Sequence, residues 1–378
     1  MAAARKLVLH FDVNETIMVG DPASGVDFES SLNHILAKVA FLDKDNKDFW
    51  HDGTPLDLAK RKDGEIPPLL TNFDAETGPV LKCYEANRKN ALWPPSKFTD
   101  PGLPGEIYRP LFEELKQQLQ WKASKNEVFA PDGHHFLLPA FFHTLAELEK
   151  QGRDFTLVIR TFGTDLPEVA RCLQAFARGE HPDFPQKFER FGLALEDALW
   201  VLRREDRSDV QSPIYLRRYE EHLGKEGLGQ DMSAPDRVSY TDELGPDEKV
   251  VDFIASKPVL AIRDDYHHWR KMRYVPESGK PLWISLDDDV QHIFFDDNIH
   301  NKAHDSIVAV RARKSSSEPF RAVSGEVTRL LEGVLLVKAH PVEAIRDKDY
   351  FLREIQRCEE KFELMSKHGS LRGLLQPA

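Results

Sequence analysis

Asp12, Thr161, Asp296 and Asp297 each stand at the end of a short, mostly apolar run and carry groups suited to one reaction. Asp12 follows "KLVLHF", Thr161 follows "FTLVIR", and the paired acids follow "HIFF". Two or three gathered carboxylates suit Mg²⁺, a hard cation that takes oxygen ligands and usually keeps several waters. A hydroxyl and a lysine suit phosphoryl oxygens, because both donate hydrogen bonds and an ammonium offsets developing negative charge. A carboxylate is also a competent covalent nucleophile. The chemistry expected of this set is phosphoryl transfer through Asp12.

The elements that must position these groups follow from the hydrophobic pattern. Residues 7–11 predict a central strand, since an apolar run this short that ends in turn-prone residues is more strand-like than helical. An amphipathic helix is expected over 139–150, stopped at Gly152, and a second buried strand over 155–160. A helix capped at Thr164 or Asp165 and stopped by Gly179 comes next. "KPVLAIRDD", ending in Asp264 and Asp265, and "HIFFDDN" supply further strands. The runs "SIVAVRA" and "GVLLVKA" read as sheet edges or a final pair, and "DKDYFLREIQRCEEKFELMSKHG" as a closing amphipathic helix. This alternation predicts an α/β fold, a Rossmann-like, mostly parallel sheet.

Two stretches fit such a sheet poorly. Residues 18–130 are broken by "PPLL", "WPPS" and "DPGLPGE", and a connection of this length far exceeds the usual one. Residues 181–256 are polar with scattered aromatics. The expected division is therefore a core of 1–17, 131–180 and 257–378, an inserted cap or lid over 18–130, and a second insert over 181–256. Ligands of open α/β sheets bind at the carboxyl ends of the strands, where such inserts would emerge.

A chain of 378 residues, 41% hydrophobic and 30% charged, can bury a large core. Its formal charge of −12 weighs against a nucleic-acid surface. The short basic patches "RKMR" and "RARK" read as solvated. Three widely spaced cysteines fit neither a disulfide framework nor a thiolate zinc site. With no signal-peptide pattern and no run of about 18 apolar residues, the expectation is cytoplasmic residence without a membrane partner.

The segments "FDVNETI", "LVIRTFG" and "HIFFDDN", in this order, resemble three motifs of the haloacid dehalogenase-like superfamily of phosphatases and phosphotransferases. The resemblance covers residues 5–16, 137–178 and 258–310. It implies that Asp12 attacks phosphorus, that Thr161 holds a phosphoryl oxygen, and that Mg²⁺ is held by Asp12, the main-chain carbonyl of Asn14, Asp296 and Asp297. It also implies a phosphate-site lysine. Lys280, in "ESGKPLWISL", is preferred to Lys271, in "HHWRKMR".

Asn14 departs from the family pattern, in which a second aspartate protonates the leaving group and then activates water. An amide can orient by hydrogen bonding but cannot exchange a proton near neutral pH. General acid–base assistance is worth about 10²- to 10⁴-fold, so alkyl phosphates are expected to be poor substrates unless another group supplies the proton. Glu15 is adjacent but should point elsewhere in an extended segment. His10 reads as core, and His267 and His268 as alternative donors. The expected function is a Mg²⁺-dependent phosphatase or phosphotransferase acting on a small phosphorylated metabolite. The alternative is a catalytically degenerate relative that binds phosphate or a protein. A dehalogenase is disfavoured, having no use for paired metal acids.

Overall fold

The computed structural model describes residues 5–20, 26–43, 46, 48–60, 69, 80–82, 95–191, 199–218, 243–299 and 306–375. Its strands are β1 (Lys6–Asp12), β2 (Phe41–Asp43), β3 (Val80–Lys82), β4 (Phe155–Thr161), β5 (Leu199–Arg204), β6 (Ile214–Arg218) and β7 (Glu243–Leu244). They continue as β8 (Val259–Arg263), β9 (Lys280–Ser285), β10 (Val290–Asp296), β11 (Val308–Arg313), β12 (Arg321–Ala322) and β13 (Leu336–Lys338). The main sheet has eight strands in the order β13-β10-β1-β4-β8-β5-β6-β7. The ladders from β13 to β5 are parallel, and β6 and β7 add an antiparallel edge.

β1 is central because it is apolar towards both faces, as a parallel strand covered on both sides must be. Its side chains alternate: Leu7, Leu9 and Phe11 enter one core and Val8 the other. Phe11 stacks on Phe295 at 4.6 Å and meets the rings of Phe141 and Phe351 edge-on at 5.2 and 5.3 Å. Truncating so enclosed a ring to alanine costs about 3–5 kcal/mol.

The helices covering the Phe11 face include α1 (Phe28–Val39), α2 (Arg109–Leu119), α3 (Pro139–Lys150) and α4 (Leu166–Ala177). In α3, Phe141, Phe142, Leu145 and Leu148 fall on one buried stripe, and Pro139 sits in the first turn, where a missing N–H is harmless. On the other face lie α5 (Asp247–Ser256) and a three-stranded sheet ordered β12-β11-β9. The chain continues through α6 (Tyr266–Lys271), α7 (Gly325–Arg329), α8 (Pro341–Arg346), α9 (Tyr350–Lys367) and α10 (Ser370–Leu374). No helix among the described residues is long and apolar enough to cross a membrane.

The structure departs from sequence expectation in two places. Residues 181–256, read as an insert, supply β5, β6 and β7 to the main sheet and α5 to its face. Their polar composition reflects the antiparallel margin of the sheet, whose edge strand β7 exposes Glu243, and antiparallel strands need only one apolar face. "SIVAVRA" and "GVLLVKA", read as sheet edges or a final pair, do not pair, and the edge reading holds for the second alone. β13 is the edge of the main sheet and β11 is the middle strand of the small one.

Candidate active site

β1 and β10 run parallel with Phe11 opposite Phe295, so the next residues, Asp12 and Asp296, leave the sheet side by side. On the other flank Asp12 is in register with Arg160, and Thr161 ends β4 one residue further on. Here the order of strands reverses: β4 and β8 lie to one side of β1, β10 and β13 to the other. This is the crevice where open parallel sheets hold ligands.

After Asp12 the chain turns sharply. The Ile17 and Met18 amides donate to the Val13 carbonyl at 3.1 and 3.0 Å, and Glu15 adopts a left-handed φ of 57°. A non-glycine residue in that region is uncommon and marks a constrained turn. The turn sends Asn14 and Glu15 apart: the Asn14 Nδ2 donates to Asp165 Oδ2 at 3.2 Å, while Glu15 pairs with Lys38 from α1. Thr16 faces inwards. Its Oγ1 lies 3.4 Å from Asp12 Oδ2 and accepts the Asp297 amide at 3.2 Å, tying the two acidic loops together.

Lys280 opens β9 in the small sheet, yet its Nζ contacts Asp12 Oδ1 and lies 2.8 Å from Asp296 Oδ2. A close backbone approach delivers it. A Cβ on Gly279 would fall 2.1 Å from the Ile307 carbonyl oxygen, so only glycine allows the Lys280 amide to reach that carbonyl at 2.7 Å. Beneath it, the fully buried Arg160 forks onto Asp264 and donates to the Pro281 carbonyl at 3.0 Å, bracing the residue after Lys280.

Asp12, Asp296 and Asp297 are all buried, and one oxygen from each lies within 4.8 Å of the others. Burial first, and then the neighbouring Asp296 charge, raise the Asp12 pKa well above the usual carboxylate value. Burial also raises that of Asp296. For Lys280, burial alone would favour the neutral amine. The Asp12 and Asp296 charges outweigh it and hold the pKa above the ordinary lysine value. Lys38 bridges Glu15 and Asp297, the latter at 2.8 Å. Once ionised, these four carboxylates outnumber the two ammonium groups, an excess of negative charge that a divalent cation would neutralise. The cluster has the donor type and spacing to coordinate one.

Thr161 is buried at the same strand ends, its Oγ1 accepting the Gly163 amide at 2.8 Å. Asn14, Thr161, Lys280 and the three acids are therefore all placed at the crevice. Lys271 is exposed on α6. His268 is engaged elsewhere, with Nδ1 3.0 Å from the Arg207 carbonyl, and burial lowers its pKa to about 4, ill suited to donating a proton at neutral pH. His10 is core, stacked on Phe294 and bonded to His292.

Two neighbours escaped the sequence reading. Lys38 carries no local signal, being an ordinary basic residue in the last turn of α1. Asp165 reads as a helix cap, and it does precede α4, but its side chain makes no cap hydrogen bond and turns to Asn14 instead. Its only clue is its place in "TFGTD", four residues after Thr161. No protein-family model matches the chain, and neither a curated protein nor a solved structure does.

Proposed function

We propose that the protein is a Mg²⁺-dependent phosphatase or phosphotransferase of the haloacid dehalogenase-like type, acting on a small phosphorylated metabolite through an aspartyl-phosphate on Asp12. The observation that carries this reading is Lys280. Its ammonium spans a nucleophile candidate, Asp12, and a metal-acid candidate, Asp296, in a buried cluster that Asp297 completes. Thr161 and Lys280 receive the phosphoryl oxygens. Asp12, the Asn14 carbonyl, Asp296 and Asp297 would hold Mg²⁺, which would supply charge neutralisation for the transferring group. Of residues 18–130, α1 packs its apolar side into the same core as β1 and brings Lys38 to Asp297 at the site, and the protein works in the cytoplasm.

Asp165 supplies the proton that Asn14 cannot. Asp12 attacks phosphorus as the ester P–O bond breaks, and the leaving oxygen takes the Asp165 proton. Asp165 then accepts a proton from the water that cleaves the Asp12–phosphorus bond, releasing phosphate and restoring both groups. Asn14 suits both protonation states. Its Nδ2 donates to the carboxylate, and a 180° rotation offers its oxygen, buried and without a partner among the described residues, to the protonated form.

Absence of an acid at position 14 itself favours a second reading, a degenerate phosphate- or protein-binding relative. Turnover of p-nitrophenyl phosphate and acetyl phosphate with Mg²⁺, by wild type and Asp12→Asn, separates them. The enzyme reading requires activity in wild type and its loss in Asp12→Asn. Equal activity in both would remove Asp12 from the mechanism, and no turnover with retained phosphate binding would select the second reading.

A further inference from the structure

Behind the phosphate-site lysine lies a second buried charged cluster that the reaction does not use. Four guanidinium groups gather there around three carboxylates. Arg160 forks onto Asp264. Arg207 pairs with Asp265 Oδ2 at 2.9 Å, and the other oxygen of Asp265 accepts the His268 amide. Arg311 pairs with Asp247 Oδ1 at 2.8 Å, an oxygen shared with the Trp283 indole, while Asp247 Oδ2 accepts the Ile214 amide. Each carboxylate is thus committed to a guanidinium other than that of Arg204.

Arg204, at the end of β5, is 1% exposed. Its Nη2 makes one long hydrogen bond, 3.5 Å, to the Gly279 carbonyl, and its Nε and Nη1 have no partner among the described residues. Burial, then repulsion from Arg311, pulls its pKa down to about 10, so it remains charged at neutral pH. An isolated charge out of water costs several kcal/mol unless it is paired. Proteins tolerate one where a counter-ion or a hydrogen-bonded water completes the site. Pairing three of the four guanidiniums leaves one positive charge, which one monovalent anion would balance.

We propose that Arg204 forms the floor of a binding site for a small monovalent inorganic anion of the chloride type, held by its Nε and Nη1 donors. By fixing the guanidinium, the anion also fixes the contact to Gly279, the residue whose close packing delivers Lys280. The site stands apart from the phosphoryl-transfer reading and survives its failure.

The test is unfolding of the full chain in sodium chloride against sodium gluconate at equal ionic strength, for wild type and Arg204→Met. Chloride that binds only the folded state should raise the wild-type midpoint progressively, by roughly 2 °C or more once well above its dissociation constant. Arg204→Met, having lost the uncompensated charge, should show no chloride dependence and be at least as stable as wild type in gluconate. Equal midpoints of wild type in the two salts, or the same chloride response in both proteins, would overturn the proposal and leave water as the partner of Arg204. Should Arg204→Met fail to fold, anomalous scattering from wild-type crystals soaked in bromide decides the matter. A peak beside Nε and Nη1 is expected, and its absence overturns the site.

Discussion

Lys280 and Asp12 stand 268 positions apart in the chain and meet as a buried ion pair, with the same ammonium 2.8 Å from Asp296. Lys280→Met would leave the two carboxylates facing each other without that cation. Removing one partner of a buried pair destabilises by roughly 3–5 kcal/mol. Because the stranded acids can regain protons, the loss should be larger at pH 8 than at pH 5, as denaturant titrations at the two values would show. Phosphoryl transfer should fall by about 10²-fold or more, and normal turnover in a folded Lys280→Met protein would remove the lysine from the reaction.

Divalent cation affinity should rise with pH. Asp12 and Asp296 hold their protons to a higher pH than ordinary carboxylates, and a cation binds only the ionised groups. Calorimetric Mg²⁺ titrations between pH 5 and pH 8 should therefore show tightening affinity with proton release at the lower end. Asp297→Asn should weaken binding at every pH, by an expected tenfold or more. Undiminished affinity in that variant would place the cation elsewhere.

A cation at the three acids would face Lys38 as well. Its ammonium sits 2.8 Å from Asp297, and a positive charge there opposes another by simple Coulomb repulsion. Lys38→Met should bind Mg²⁺ several-fold more tightly than wild type at low salt, with the difference shrinking as salt screens it. Weaker binding in the variant would mean that Lys38 organises the site.

Asp165 and Asn14 should exchange roles. Asp165→Asn is expected to lose alkyl phosphate hydrolysis by about 10²-fold while still accepting phosphoryl groups from acetyl phosphate, whose leaving group needs little protonation. Adding Asn14→Asp to that variant should restore part of the alkyl activity. Asn14→Asp alone places two carboxyl groups within 3.2 Å contact distance of each other, so one should titrate high. An unaltered preference between the two substrate classes in Asp165→Asn would assign the proton to another group.

Acid should destabilise the fold through its buried histidines. Burial lowers the pKa of His340 to about 4, so between there and the ordinary value of about 6.5 the unfolded chain binds the extra proton. Stability contributed by neutral His340 is complete above about 6.5 and is lost as pH falls towards 4. The slope is about 1.4 kcal/mol per pH unit for each such proton. His340→Gln should lower the slope of unfolding free energy against pH by that amount, and an unchanged slope would show the ring already protonated or solvated.

Residue order alone determined the local part of this protein. β1, β4 and β10 are legible because strands covered on both faces need unbroken apolar runs, and a polar group at the end of such a run must sit where the sheet stops. Asp12, Thr161 and Asp296 are therefore readable one at a time, as is the amphipathic stripe of α3. The tertiary structure decided what meets them. Lys280 belongs to a separate sheet and reaches Asp12 only because Gly279 packs against Ile307. Lys38 crosses from α1 to Asp297, and Asp165 forgoes capping α4 to face Asn14. The polar segment of β5, β6 and β7 became sheet by pairing onto β8. Hydrophobic periodicity records which way a side chain faces within its own element. Charge pairing and strand order depend on contacts between residues far apart in sequence, and nothing in local spacing encodes them.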